Sequence, residues 1–518
     1  VSRTTVSQLL APLADVDDRG LYFEDDFVSW REHLRLSAVR GAAVAARLDV
    51  DRPPHVAVLL GNIPEFSYLL AAAAMESLVL VGLNPTRRGA ALTADMATAD
   101  CQLVIVEDAT ADLLDGVTGV DVLNVDSPEW QAALDHNSDA PVRFPDTDPR
   151  QLFTLIFTSG TSGDPKAVQC DHAKFAAAGE MLSQRFGLGP ADTAFLAMPM
   201  FHSNALIAGW VVAVAAGASI ALRRKFSASG WLPDIRKYNA TYANYVGKPL
   251  AYILATPEQP DDADNPLKIM YGNEAAPGDL SAMARRFGIR IVDGFGSTEG
   301  GVAITRTPDT PDEALGPLVA PNAILDIETG EPCPIAEFDA DGRLLNESAA
   351  VGELVNTGGA GAFTGYYNNP EADAERMRGG MYHSGDLGYV DADGYVYFAG
   401  RLGDWVRVDG ENMGTGPIER ILMRHDGIRL SAVYGVRAEV GDDLVASLVA
   451  DGLTPDDLAD FLAAQPDLGP KQWPKFVRVA DDLPRTETFK VLKRVLKAEG
   501  AGGPGWWQLT ADRRYVPA

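Results

Sequence analysis

Cysteine is scarce in this chain. Its three residues, Cys101, Cys170 and Cys333, are scattered. They form neither a disulfide framework nor a zinc-ligand spacing, and a reduced, cytoplasmic compartment is expected. Positive charge is short as well: 44 Lys and Arg stand against 72 Asp and Glu, a formal net charge of −28. Such a surface repels nucleic acid and anionic lipid, so neither is expected as a general partner. The first residues carry no apolar run of signal-peptide length. One uncharged apolar run is long, residues 205–222, and Arg223, Arg224 and Lys225 follow it. Its length and basic flank would suit a membrane span. Its Ala, Gly and Val content gives weak drive, however, and Gly217 interrupts it before Ser219-Ile-Ala-Leu222. A core helix followed by a core strand is the expectation, with no stable span. No internal repeat or low-complexity tract is present.

What the chain does have is length and alternation. Its 518 residues suffice for more than one domain. Residues 55–60, 78–83 and 103–107 read as buried strands, and 65–76 and 88–99 as helices, with Pro64 suited to a first helical turn. Residues 108–150 are acidic and irregular, which predicts a surface connection. Alternation resumes over 151–310. Strand–helix–strand repetition predicts parallel sheets covered by helices. Over 316–400 short apolar runs separated by Gly, Asp and Pro predict a β-rich subdomain. Beyond residue 403 the pattern is a small α+β module. The expected fold class is therefore α/β: a large N-terminal domain, 1–402, of parallel-sheet subdomains plus the β-rich part, and a small C-terminal domain, 403–518.

Chemistry first surfaces where the strand Phe153-Thr-Leu-Ile-Phe157 runs into Thr158-Ser-Gly-Thr-Ser-Gly-Asp-Pro-Lys166. Gly160 and Gly163 let the backbone turn its N–H groups toward an anion. Hydroxyls on Thr158, Ser159, Thr161 and Ser162 can donate to phosphate oxygens, and Lys166 adds a cation. This is not the Walker A pattern, because no Gly-Lys-Ser/Thr follows. The bland alternative is a flexible Ser/Gly connection. The loop resembles the phosphate-binding signature of the adenylate-forming superfamily, which holds acyl-CoA synthetases, luciferases and nonribosomal adenylation domains.

Further segments resemble that superfamily in order, over roughly residues 20 to 517. Met198-Pro-Met-Phe-His202 is similar to a segment whose histidine lies near the acyl tunnel and the adenylation centre. Tyr271-Gly-Asn-Glu-Ala-Ala-Pro277 resembles the strand end lining the adenine pocket, which implicates Gly272, Asn273 and Glu274. Asp293-Gly-Phe-Gly-Ser-Thr-Glu299 resembles the segment that closes the pocket. Through Gly294, Gly296 and Ser297 it would present Asp293 to the adenine amino group, Phe295 to its face, Thr298 to the α-phosphate and Glu299 to Mg2+. Tyr382-His-Ser-Gly-Asp386 resembles a motif whose aspartate takes both ribose hydroxyls. Gly400-Arg-Leu-Gly-Asp404 resembles the next motif, with Arg401 reaching ribose and phosphate and the domain hinge falling at Gly403. Leu483-Pro-Arg-Thr-Glu-Thr-Phe-Lys490 resembles the C-terminal lysine motif, though most members carry Ser-Gly-Lys there.

The Thr488-Phe-Lys490 ending is informative together with Gly410-Glu-Asn412, Asn244-Tyr-Val-Gly247 and Tyr515-Val-Pro517. These are similar to the very-long-chain acyl-CoA synthetase and fatty-acid transport protein branch, from which Lys248 departs. The resemblance implies a fatty acid–CoA ligase with ATP, Mg2+ and CoA. It would form an acyl-AMP through Lys490, Thr298, Glu299 and His202, then turn its C-terminal module about Gly403 for thioester formation. His202, Asn204, Ala205, Tyr245 and Gly247 would border the acyl pocket. Alternatives are a ligase for an aryl or bile-type acid, delivery to an acyl carrier protein, and a membrane fatty-acid transporter with weak ligase activity. A regulator that stops at AMP is disfavoured by Lys490. Expected partners are fatty acid, ATP and CoA, with a homodimer as the assembly and the cytoplasm, or the periphery of a membrane, as the location.

Overall fold

The computed structural model describes residues 3–158, 165–276, 278–340, 342–402, 406–408, 411–438, 442–466, 468–485 and 491–518. They form two compact units. The first comprises residues 1–300 and 362–374, the second 301–361 and 375–518.

The first unit holds two sheets. One runs, in spatial order, Asp121–Asn124, Leu103–Val106, His55–Leu59, Val79–Gly82, Leu152–Thr158 and Lys166–Asp171. It is parallel up to Leu152–Thr158, which closes an antiparallel hairpin with Lys166–Asp171. The other runs Arg290–Gly296, Ile269–Asn273, Tyr242–Val246, Thr193–Leu196, Ser219–Leu222, Gly20–Phe23 and Asp26–Ser29. It too is parallel except at its last pair. Helix cover follows the sequence pattern. Pro64 opens the helix Pro64–Glu76, which is buried on nearly every side, as its unbroken apolar composition requires.

Residues 205–222 are core. A short helix, Ser203–Ala205, passes through a π-helical turn, Leu206–Trp210, into the helix Val211–Ala216. Gly217 ends it in the left-handed region, at φ 65°. The fully buried strand Ser219–Leu222 follows. Arg223 pairs with Asp234 and Arg224 with Glu107, which ties the basic cluster into the fold. Among the described residues no helix is long and apolar enough to cross a membrane.

Residues 108–150 depart from the expected irregular connection. Asp121–Asn124 is an edge strand with Leu123 as its one buried residue, too short and polar to show alternation. Pro128–His136 is a helix whose N-terminus is capped by Ser127, and it buries only Trp130.

The second unit contains the antiparallel sheet Gly316–Pro317, Tyr395–Arg401, Met381–Val390, Gly352–Asn356 and Asn322–Leu325, as the turn-rich texture of 316–400 implied. It also contains the sheet Ile428–Arg437, Asp442–Ala450, Phe476–Val479, Trp506–Leu509 and Tyr515–Pro517. The helices Thr415–Leu422 and Pro455–Ala463 bury Ile418, Leu422, Leu458 and Leu462 in one core with Val433, Leu448 and Val477.

Three histidines of the first unit give a pH signature. Burial pushes His33 down to about 3, and His172 and His202 down to about 4, from an ordinary 6.5. Between those values the unfolded chain binds more protons than the folded one, so stability rises with pH there. Stability should therefore fall as pH drops from 6.5 toward 4, by up to about 1.4 kcal/mol per pH unit for each histidine. His172 packs on Phe153, and among the described residues neither ring nitrogen has a partner. Urea midpoints across this range should decline for the native chain and less steeply for His172→Phe. Equal slopes for the two would show that His172 is not held neutral.

Candidate active site

Glu299 is the centre of the first unit's polar constellation. Only 7% of its surface is exposed. Its Oε1 accepts from the Tyr366 hydroxyl at 2.8 Å and from the Thr158 hydroxyl at 3.4 Å. Thr158 is the last residue of the strand Leu152–Thr158, so the sheet places its hydroxyl where the loop begins. Tyr366 arrives from 362–374, a segment that returns to the first unit and bridges Val168 through Tyr366 itself. The Lys166 ammonium lies 5.4 Å from the centre of the Tyr366 ring, within cation–π range. Lys174 donates to the backbone carbonyls of Thr298 at 2.7 Å and Glu299 at 2.9 Å. The Thr298 and Ser203 hydroxyls share a hydrogen bond of 2.8 Å. His202, next in sequence to Ser203, is neutral over the physiological range, and its buried Nε2 has no partner among the described residues. Ser159, Gly160, Thr161, Ser162 and Gly163 lie outside the described residues.

This donor set bears on magnesium. Among the described residues no group of three or more His, Cys, Asp or Glu could hold a metal ion. One fixed carboxylate, Glu299, fits Mg2+ nonetheless, because that ion commonly rests on one or two carboxylates, water and substrate phosphates.

The ends of two strands meet beside this cluster. Gly272 and Asn273 close Ile269–Asn273, and Glu274 follows in the left-handed region at φ 64°. A Cβ on Gly272 would overlap the Tyr245 carbonyl, and one on Gly247 would overlap the Glu274 carbonyl. Glycine is what lets these backbones approach. The Tyr245 hydroxyl donates to Asp293 Oδ1 at 2.7 Å, and the Ala275 N–H donates to the same oxygen at 3.4 Å. Asp293 is thereby fixed beside half-buried Phe295, with Gly294 passing close to the Tyr271 ring. Gly296 and Ser297 are exposed. Asn204 joins the strands: its Nδ2 donates to the Tyr245 carbonyl at 2.8 Å and to Asn273 Oδ1 at 2.9 Å. Its neighbour Ala205 is buried. Tyr245 and Asn244 also line a small cavity of ≈ 10 Å³ with Phe195, Met198, Ile253 and Met270.

In the second unit Asp386 and Arg401 are cross-strand partners on Met381–Val390 and Tyr395–Arg401, 3.5 Å apart. The antiparallel register brings the two residues together although a motif boundary separates them in sequence. Gly403 and Lys490 lie outside the described residues.

Sequence reading missed Tyr366, Lys174 and Ser203. Lys174 and Ser203 have no local signature. Tyr366 sits in Gly365-Tyr-Tyr-Asn-Asn-Pro370, whose turn residues were the available signal.

The Gly247 contact makes a direct test of this geometry. Gly247→Ala must displace backbone rather than a side chain, so it should destabilise the first unit by about 3 kcal/mol or more. Chemical denaturation should report a lowered midpoint. A midpoint unchanged from the native chain would mean that the two backbones do not approach as described.

Comparison with known proteins gives the family. Residues 14–367 match the family model described as AMP-binding enzyme, and residues 417–490 match the AMP-binding enzyme C-terminal domain. The medium/long-chain-fatty-acid–CoA ligase FadD17 of Mycobacterium tuberculosis is 58% identical over 508 residues, covering 97% of this chain and 98% of that protein. The steroid-22-oyl-CoA synthetase of Rhodococcus jostii is 43% identical over 538 residues, covering 100% of this chain and 97% of that protein. Among solved structures, ATP-bound MatB from Rhodopseudomonas palustris has the same fold. Its TM-score is 0.81 at 24% identity, with 96% of this chain and 99% of that one covered. The two family matches, spanning both parts of the chain, place this protein in the family of AMP-binding enzymes.

Proposed function

We propose that the chain is an ATP-dependent fatty acid–CoA ligase. In the first step a carboxylate attacks the α-phosphorus of ATP and pyrophosphate leaves, giving an acyl-AMP. In the second, the CoA thiol attacks the acyl carbonyl and AMP leaves. The observation that carries the first step is the Glu299 cluster: a buried carboxylate held by Tyr366 and Thr158, beside Thr298 and at the root of the hydroxyl-rich loop. The acid class rests on the mycobacterial relative.

The attacking carboxylate is already ionised, so no general base is needed for it. Negative charge gathers at phosphorus, and preorganised donors stabilise it. Thr298, Lys490 and the hydroxyls of 158–162 serve as those donors, with Gly160, Gly163 and Lys166 shaping and charging the loop. Glu299, with triphosphate oxygens and water, would hold Mg2+, which when bound neutralises triphosphate charge. Asp293, Phe295 and the strand end at Gly272, Asn273 and Glu274 receive adenine. Asp386 takes the ribose hydroxyls, and Arg401, its cross-strand neighbour, reaches ribose and phosphate. His202, Asn204, Ala205, Tyr245 and Gly247 border the acyl group. Between the half-reactions the C-terminal module, 403–518, turns about Gly403. Cytoplasmic location, contact with a membrane periphery and homodimeric assembly belong to the same proposal.

A second reading, a ligase for a bulky polycyclic acid, is favoured by the rhodococcal relative, which aligns over the whole chain. ATP–pyrophosphate exchange across fatty acids of increasing length and steroid-ring acids decides between the two. Exchange with neither class, by a folded chain, would remove the ligase reading.

Two variants test the assigned roles. Lys490→Ala should lower adenylate formation by about 10²- to 10³-fold while sparing thioester formation from supplied acyl-AMP. An equal loss in both half-reactions would refute the role of Lys490. Tyr366→Phe removes one donor to a carboxylate, an interaction worth about 1.5–3 kcal/mol. Exchange activity should fall by about tenfold or more with the thermal midpoint little changed. Unaltered exchange would separate Tyr366 from the chemistry.

A further inference from the structure

The Ser203 and Thr298 hydroxyl oxygens lie 2.8 Å apart, an ordinary length for an O–H···O bond. Each hydroxyl has one proton to give and can also accept. One proton therefore lies between the two oxygens while the other points elsewhere. Either direction fits the pair taken alone. The chemistry decides between them. Thr298 can donate to the α-phosphate only if its proton is not already given to Ser203. Ser203 must then be the donor and Thr298 Oγ1 the acceptor. Among the described residues Ser203 Oγ has no other hydrogen-bond partner, so nothing there competes for its proton.

Both ends of the pair are held from outside it. On the Thr298 side, Lys174 donates to the Thr298 and Glu299 carbonyls from the first turn of the helix His172–Phe186. On the Ser203 side, the Asn62 side chain straddles Pro199. Its Nδ2 donates to the Met198 carbonyl and its Oδ1 accepts from the Met200 N–H, each at 2.9 Å. Asn62 is only 4% exposed and follows the strand His55–Leu59 closely in sequence. The His202 N–H then donates to the Pro199 carbonyl at 3.1 Å, and Ser203 opens the short helix Ser203–Ala205. Neither anchor touches a hydroxyl. Each fixes a backbone, so the two oxygens meet without a search by either side chain, and only the order of the protons is left for the nucleotide to set.

Resting on the ligase reading above, we propose that Ser203 is a positioning residue for Thr298: it donates to Thr298 Oγ1 and so commits the single Thr298 proton to the α-phosphate. A hydroxyl that accepts one hydrogen bond is also polarised into a better donor of the next. Without Ser203 the Thr298 hydroxyl remains, but its proton is free to turn away as charge gathers at phosphorus. The loss then falls on the transition state and not on nucleotide binding.

The test is a double-mutant cycle in ATP–pyrophosphate exchange by the full chain, with Ser203→Ala, Thr298→Val and the two combined. The acid is a fatty acid that supports exchange by the native chain. Ser203→Ala should lower kcat by about three- to tenfold, with the KM for ATP and the thermal midpoint little changed. Ser203→Thr keeps a hydroxyl and should restore most of the loss. Thr298→Val should lower kcat further, because it removes the donor itself. In the Thr298→Val background Ser203→Ala should add nothing. Losses that multiply in the double variant would overturn the proposal, since Ser203 would then act through another group. A larger loss from Ser203→Ala than from Thr298→Val would also overturn it, by placing Ser203 itself on the phosphate. Unchanged exchange in Ser203→Ala leaves the ligase reading standing while the role of Ser203 falls; no exchange by the native chain with any acid removes the ligase reading and this role with it.

Discussion

A carboxylate taken out of water is costly unless donors replace its hydration. Glu299 is such a group, and much of the first unit's architecture serves it. Thr158 comes from the end of one sheet, Tyr366 from a segment that returns after a long excursion, and Lys174 from the helix His172–Phe186. Lys174 touches the backbone rather than the carboxylate. It thus fixes where Thr298 and Glu299 sit. The hydroxyl donors satisfy the carboxylate in the same spirit, as dipoles and not as counter-ions.

The parallel sheets, the β-rich part and the core placement of residues 205–222 were legible because each rests on local periodicity and on turn residues. Thr158, Thr298 and Glu299 could be singled out in the sequence because residue types with one chemical use cluster within a few positions, and the fold brings Thr158 to Glu299. Tyr366 and Lys174 were not, since each meets Glu299 or its backbone across a long sequence separation that only topology closes. The strand Asp121–Asn124 was missed for another reason: with Leu123 as its single buried residue, it has no alternation to read. Gly247 and Gly272 were read as members of motifs. Their physical reason, two strand ends closing against each other's carbonyls, appears only when the strands are paired.

The same strand ends are joined through one side chain. Asn273 terminates the strand assigned to adenine, Asn244 and Tyr245 lie on its parallel neighbour, and Asn204 follows His202 by two residues. Asn204 donates to both strands at once. Its amide therefore sets the spacing between the strand Ile269–Asn273 and the segment bearing His202, and the Tyr245 carbonyl dictates which way every amide in the chain points.

That direction fixes what position 244 must supply. Leucine there would fill similar space but would leave Asn204 Oδ1 without its donor. The Asn244 nitrogen therefore completes the amide chain that aligns the strand ends, because Asn204 spends its own nitrogen on the Tyr245 carbonyl and Asn273 Oδ1 and keeps only its oxygen for the neighbouring strand.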